Sequence, residues 1–207
     1  EASGDPIKIG ALTSLTGPFT SWGLHVEAGM QLAVDDINAD GGVDGRMLEL
    51  IVADDQSDPE EAVVQMERLI EDGVVAIAGT ISSGVGGATS SIAEDSQIPL
   101  FLSKAGSDGL LTADSRYTFR TCLPAGPMLA RPWADYASEQ GFTKVGQLIA
   151  DYAWGQSFLA ASEPVFAASG IELQSEVAPV PEQDFTTYLR SLDSFGPELI
   201  LATGHPP

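Results

Sequence analysis

The chain has little cysteine, histidine or lysine, and each scarcity excludes something. Cys122 stands alone, so no disulfide can form within the chain. A single thiol does not identify a redox compartment, and the expected role of Cys122 is that of a small buried apolar residue. His25 and His205 are the two histidines, which leaves few candidates for a general base. Lysine occurs only at Lys8, Lys104 and Lys144. Long apolar runs are also missing. Val74-Val75-Ala76-Ile77-Ala78 is among the longest, far short of a bilayer span.

What is abundant is negative charge. Thirty acidic residues face nine basic ones, for a net charge of −21. Such a surface repels nucleic acid and anionic lipid, so neither is an expected partner. The acids are dispersed rather than gathered in a tail. The excess exceeds what solubility asks of a small domain, and we read it as adaptation to high salt, where repulsion among carboxylates is screened. With 207 residues, 43% of them hydrophobic, the chain has room for one large globular domain or two small ones. Glu1 to Pro6 reads as a short tail left by processing or as a boundary.

Along the chain, strand and helix alternate. Strands are expected at 7–12, 47–53, 74–78, 98–102, 117–121, 144–150, 171–177 and 199–202. Helices are expected near 24–39, from Asp58, near 83–95, 128–140, 157–169 and 185–192. Val26, Met30, Ala33, Val34 and Ile37 keep a 3–4 spacing and form the expected inner face of the first helix. Asp58-Pro59-Glu60-Glu61 opens the second, with an aspartate cap, proline at the first position and acids in the first turn. This alternation indicates doubly wound parallel sheets. The rhythm breaks near 115–125, the expected domain boundary. The chain stops at Gly204-His205-Pro206-Pro207, directly after a strand, and we expect residues beyond 207.

Several motifs fail on inspection. Gly79-Thr80-Ile81-Ser82-Ser83-Gly84 starts like a phosphate loop, but Val85-Gly86 stands where lysine and a hydroxyl are needed. Gly84-Val85-Gly86-Gly87-Ala88-Thr89 lacks the last glycine of the dinucleotide fingerprint and lies at a helix start. Asp36-Ile37-Asn38-Ala39-Asp40-Gly41 resembles half a calcium loop, yet its twelfth position is Met47 rather than glutamate. Asp54, Asp55 and Asp58 read better as a cap and solvated acids than as a metal site. No Gly-x-Ser-x-Gly elbow occurs. No catalytic, metal or cofactor site is therefore assigned.

What remains is a rim of small hydroxyl residues. Three strands of the first half run into Thr13-Ser14-Leu15-Thr16-Gly17, into Gly79 to Gly84, and into Ser103-Lys104-Ala105-Gly106-Ser107. In an open parallel sheet these carboxyl ends share one edge, where ligands bind. Ser82 and Ser83 stand at a helix start, where free N–H groups favour an anion; plain capping explains them equally well, and both roles can coexist. Trp22 and Trp154 each precede a glycine after a strand, in equivalent places of the two halves. His205 sits at the end of the last strand. The rim suits a small charged molecule, an α-amino acid among them.

Leu12-Thr13-Ser14-Leu15-Thr16-Gly17-Pro18, Trp22-Gly23 and the run Ala33 to Gly45 closely resemble the branched-chain amino-acid-binding proteins of ABC importers. Asp54 to Pro59, Tyr117 to Thr121, Asp151 to Gly155 and Asp184-Phe185-Thr186 continue the likeness from end to end. The resemblance implies an α/β, two-lobed type I periplasmic-binding fold, each lobe a doubly wound parallel sheet, with 1–120 in the first lobe, 121–207 in the second and both incomplete. It implies that Ser82, Ala105 and Ser107 match positions holding the ligand's carboxylate and ammonium, with Ser83 beside them, and that Trp22 and Trp154 line the cleft. His205 falls where the family often has an aromatic residue, and Lys104 where proline is common. The implied function is non-enzymatic and extracytoplasmic: periplasmic or at the cell surface, with or without a lipid anchor, delivering an amino acid to membrane permease subunits by hinge closure. The alternatives are a binder or sensor of an amide, urea or aromatic acid on the same fold, and a hydrolase using His205 and a serine.

Overall fold

The computed structural model describes residues 4–121, 123–180 and 182–203. The chain divides into two compact units, Glu1–Ala105 with Gly109–Leu123 and Gly106–Asp108 with Pro124–Pro207. Cys122 and His205 lie outside the described residues. Among the described residues no helix is long and apolar enough to cross a membrane.

The first unit runs β1 (Ile7–Thr13), α1 (Thr20–Ala39), β2 (Leu48–Asp54), α2 (Pro59–Glu71), β3 (Ala76–Gly79), α3 (Ser83–Ser96), β4 (Leu100–Leu102) and β5 (Thr118–Arg120). The strands make one parallel sheet in the order β2-β1-β3-β4-β5. Right-handed crossovers put α1 on one face and α2 and α3 on the other. Asp58 caps α2, its Oδ1 accepting from Glu60 N at 2.8 Å and Glu61 N at 3.0 Å. Ala62, Met66 and Leu69, one turn apart along α2, are buried. Met66 and Leu69 pack with Leu12, Ile77, Leu100 and Leu102. Each large apolar side chain so buried stabilises the unit by about 1.5–3 kcal/mol.

Two expected features differ. The inner face of α1 is narrower than its apolar spacing suggests, because Gly23 and Val34 are its buried residues while Ile37 is 39% exposed. The helices following β1 and β6 also begin four residues earlier than expected, which places Trp22 and Trp154 inside first turns. Neither start has a side-chain cap, so the capping signal was absent there. Close backbone approach explains both Trp-Gly pairs instead. A Cβ on Gly23 would overlap the Ser14 carbonyl oxygen, and one on Gly155 that of Ala150.

The second unit comprises α4 (Gly126–Glu139), β6 (Lys144–Asp151), α5 (Ala153–Ala168), β7 (Glu172–Pro179), α6 (Thr186–Phe195) and β8 (Leu199–Ala202). Its parallel sheet has the order β7-β6-β8. Ala134, Ala137, Val145, Phe166 and Ile171 form its core. Gln147, fully buried on β6, donates to Ser162 Oγ at 3.0 Å and Ser175 Oγ at 2.8 Å. These bonds meet the requirement that buried polar groups find partners.

Carboxylates clamp strand starts in both units. Glu94 accepts from the backbone N–H groups of Arg116, Tyr117 and Thr118, fixing the entry to β5. Glu198 accepts from Thr143 N at 2.6 Å and Lys144 N at 3.1 Å, fixing the entry to β6.

Candidate functional site

The strand order of the first unit defines a switch point. From β1 the chain crosses to β2 on one side and returns to β3 on the other, so the connections diverge beyond the carboxyl ends of β1 and β3. Ligands of doubly wound sheets bind in that crevice. Here it carries buried hydroxyl residues: Thr13, Ser14, Thr80, Ser82 and Ser83.

The β1–α1 loop is held by residues of the β2–α2 turn. Asp54 Oδ1 accepts from Leu15 N at 2.8 Å, Thr16 N at 3.2 Å and Gln56 N at 2.9 Å, and Oδ2 accepts from Thr16 Oγ1 at 2.7 Å. Desolvation tends to raise the Asp54 pKa, but these bonds outweigh it and hold the carboxyl below its ordinary value. Ser57 Oγ donates to Thr16 O at 2.9 Å and accepts from Phe19 N at 3.1 Å. Asp55 is fully buried, contrary to the expectation of a solvated acid. Its Oδ1 accepts from Ser14 Oγ at 2.6 Å and Ser57 N at 2.8 Å. Desolvation pushes its carboxyl up, despite those two bonds. The sequence reading missed these supports because an aspartate after a strand looks the same whether it caps a helix or braces a neighbouring loop.

The β3–α3 turn supplies the opposite side of the crevice. Thr80 N donates to Leu12 O at 2.7 Å, and Thr80 O accepts from Lys104 N at 3.2 Å. Thr80 has φ +27°, a conformation costly for a β-branched residue. Its buried Oγ1 has no hydrogen-bond partner among the described residues. Ser82 caps α3, its Oγ accepting from Gly84 N at 3.2 Å. This 14-residue helix directs its amino-terminal dipole at the same edge.

Trp22 lies in the first turn of α1, stacked on Phe19 with ring centroids 6.4 Å apart. Lys104 Nζ stands 5.1 Å from the Trp22 ring centroid. Ala105 is fully buried within the core of this unit. The first unit thus holds Trp22, Ser82, Ser83 and Ala105 of the expected site residues. Ala105 belongs to the packing beneath the rim.

Ser107 and Trp154 belong to the second unit. Ser107 is buried, and the adjacent Asp108 N donates to Ser157 Oγ at 2.8 Å, docking this short segment on α5. Trp154 is 6% exposed, donates Nε1 to Pro124 O at 3.2 Å and stacks on Phe158 at 5.7 Å. That packing accounts for its burial. Burial pushes the neighbouring Tyr152 phenol up to about 12, so it stays protonated near neutrality. At the carboxyl end of β8, Thr203 Oγ1 accepts from Ala150 N at 3.0 Å.

Comparisons with known proteins agree on one family. The sequence model of a family described as periplasmic binding protein matches residues 6–207. Leu/Ile/Val-binding protein homolog 3 of Brucella melitensis is 28% identical over 201 residues, covering 96% of this chain and 54% of that protein. A solved branched-chain amino acid transporter substrate binding protein from Streptococcus pneumoniae, in complex with isoleucine, is 28% identical with a TM-score of 0.82. The match covers 97% of this chain and 57% of that one. A solute binding protein from R. palustris, in complex with benzoate, is 26% identical with a TM-score of 0.86, covering 96% of this chain and 55% of that one. The chain spans about half the length of the curated relatives it matches.

Proposed function

Because the chain belongs to the periplasmic binding protein family, we propose that it is an extracytoplasmic solute-binding protein that hands a small amino acid to the permease subunits of an ABC importer. Its fold is the two-lobed type I periplasmic-binding fold, α/β with parallel sheets in two groups. The observation that carries the reading is the buried hydroxyl rim at the β1/β3 switch point, with the start of α3 on the same edge. Hydroxyls and helix-terminal N–H groups suit a carboxylate. The ligand would bias the protein toward a closed state in proportion to its differential affinity. The relatives' names favour a branched-chain side chain. A second reading, an aromatic acid, is supported by the benzoate-bound neighbour. The acid excess supports work at high salt.

Calorimetric titration with L-leucine, L-isoleucine and benzoate tests this. A hydrogen bond to a charged ligand group is worth about 1.5–3 kcal/mol, so Ser107→Ala should weaken binding about tenfold or more. At position 82 glycine is the better substitution, because it retains most of the capping preference that alanine loses. Ser82→Gly should show the same loss. Ser169→Ala, at the end of α5, should bind like wild type. If both Ser82→Gly and Ser107→Ala bind at full strength, the ligand is not held by these residues.

A further inference from the structure

Of the three lysines, two have oxygen partners. Lys8 Nζ donates to Asp72 O at 2.8 Å, and Lys144 Nζ stands 3.8 Å from Glu172 Oε2. Among the described residues Lys104 has neither kind of partner. The residue is half-buried, its ammonium lies over the Trp22 ring, and among the described residues no carboxylate forms a salt bridge with it. In a chain with 30 acidic residues this is a conspicuous omission. An aromatic face attracts a cation but does not neutralise it.

Its location gives the omission meaning. The Lys104 backbone N–H bonds to Thr80 O, and Thr80 N–H bonds to Leu12 O. These bonds tie Lys104 to the carboxyl ends of β1 and β3, at the switch point. Thr80 is the second, independent sign of an unmet partner there, being fully buried with an unsatisfied hydroxyl and a strained φ. Buried polar groups are seldom left unpaired, and strain of this kind persists where the surroundings hold it for a purpose.

We propose that Lys104 recognises the ligand's negative charge: its ammonium, steadied over Trp22, pairs with a carboxylate of the bound molecule, and the Thr80 hydroxyl donates to the same group. The proposal rests on reading this edge as the ligand site. It names the chemistry shared by amino acids and aromatic acids, and it makes Lys104 the residue that separates acids from their neutral counterparts.

The test is calorimetric titration of the 207-residue chain at one fixed ionic strength with two probe pairs, L-leucine against L-leucinamide and benzoate against benzamide. In wild type, the carboxylate of at least one pair should bind ten times or more tighter than its amide. Lys104→Gln, shown folded by circular dichroism, should weaken that carboxylate about tenfold while changing the amide little. Lys8→Gln removes the same charge far from the rim and should leave binding unchanged, separating local pairing from the general field of the protein. Carboxylate binding that survives Lys104→Gln, or that falls equally with Lys8→Gln, overturns this proposal and leaves the solute-binding reading standing. Wild type that binds neither acid more tightly than its amide does the same. Failure of all four probes to bind wild type overturns both.

Discussion

Replacing Gly23 with alanine tests the packing that positions the rim. Gly23 lies inside α1, where alanine ordinarily gains about 1 kcal/mol over glycine. Here an added Cβ would stand 2.5 Å from the Ser14 carbonyl carbon and 3.1 Å from its Cα, and would overlap the carbonyl oxygen. The obstacle is backbone, and it is braced through Ser14 Oγ on Asp55, so no flexible side chain can swing aside. Overpacking a well-filled site costs about 1–3 kcal/mol, and a backbone clash belongs at or above the top of that range. After the propensity gain, the expected net loss is about 2 kcal/mol or more. At roughly 2–4 °C per kcal/mol for a chain of this size, the melting temperature should fall by about 5 °C or more. Gly29→Ala is the control. It lies on the same helix with no atom within 4 Å of an added Cβ, so it should gain about 0.5–1 kcal/mol. Far-UV circular dichroism melts and urea titrations of both variants give the answer. A Gly23→Ala protein as stable as wild type, beside a stabilised Gly29→Ala, would refute the close approach of α1 to the end of β1.

Three further outcomes are expected. Glu198 accepts two backbone N–H bonds that, with Lys144 nearby, hold its pKa below the ordinary 4.5. A lowered native pKa contributes stability that is present above 4.5 and lost as pH falls through the native value, so Glu198→Gln should melt below wild type at pH 7 and the gap should close in acid; a gap constant from pH 7 to pH 3 would contradict this. For Asp55 the sign reverses, because burial raises its pKa above 3.8: its contribution is greatest below 3.8 and is lost as pH rises through the native value. Asp55→Asn should therefore lie within about 1 kcal/mol of wild type at pH 7 and fall behind it toward pH 4 in urea titrations, whereas Asp55→Ala, which leaves the Ser14 hydroxyl and Ser57 N–H unpaired, should cost about 2–3 kcal/mol at pH 7; an Asn variant as damaging as Ala would show that the carboxylate charge itself is needed. With a net charge of −21, the melting temperature should rise along a potassium chloride series as repulsion is screened, and a flat or falling series would remove the high-salt reading.

The sequence by itself determined the alternation of elements and the parallel sheets, because apolar periodicity, caps and turn residues act locally. Asp58-Pro59-Glu60-Glu61 opens α2 where its capping chemistry requires, and β8 spans the expected Leu199–Ala202. The hydroxyl rim was legible for the same reason, since in a parallel sheet every strand delivers its next residues to one edge. The family could be read from motifs spread along the whole chain. What the tertiary structure decided were properties of pairs of residues far apart in sequence. Asp55 and a solvated aspartate look alike until Ser14, 41 positions away, donates to one of them. The starts of α1 and α5 carry no side-chain cap, and the glycines there are explained by strand-end carbonyls that no local pattern reveals. Val26 and Ile37 kept helical spacing without being buried, because periodicity marks a face but not what covers it. The setting of Lys104, over Trp22 and with no salt bridge among the described residues, likewise emerged once the fold was in place, since electrostatic pairing depends on distance in space.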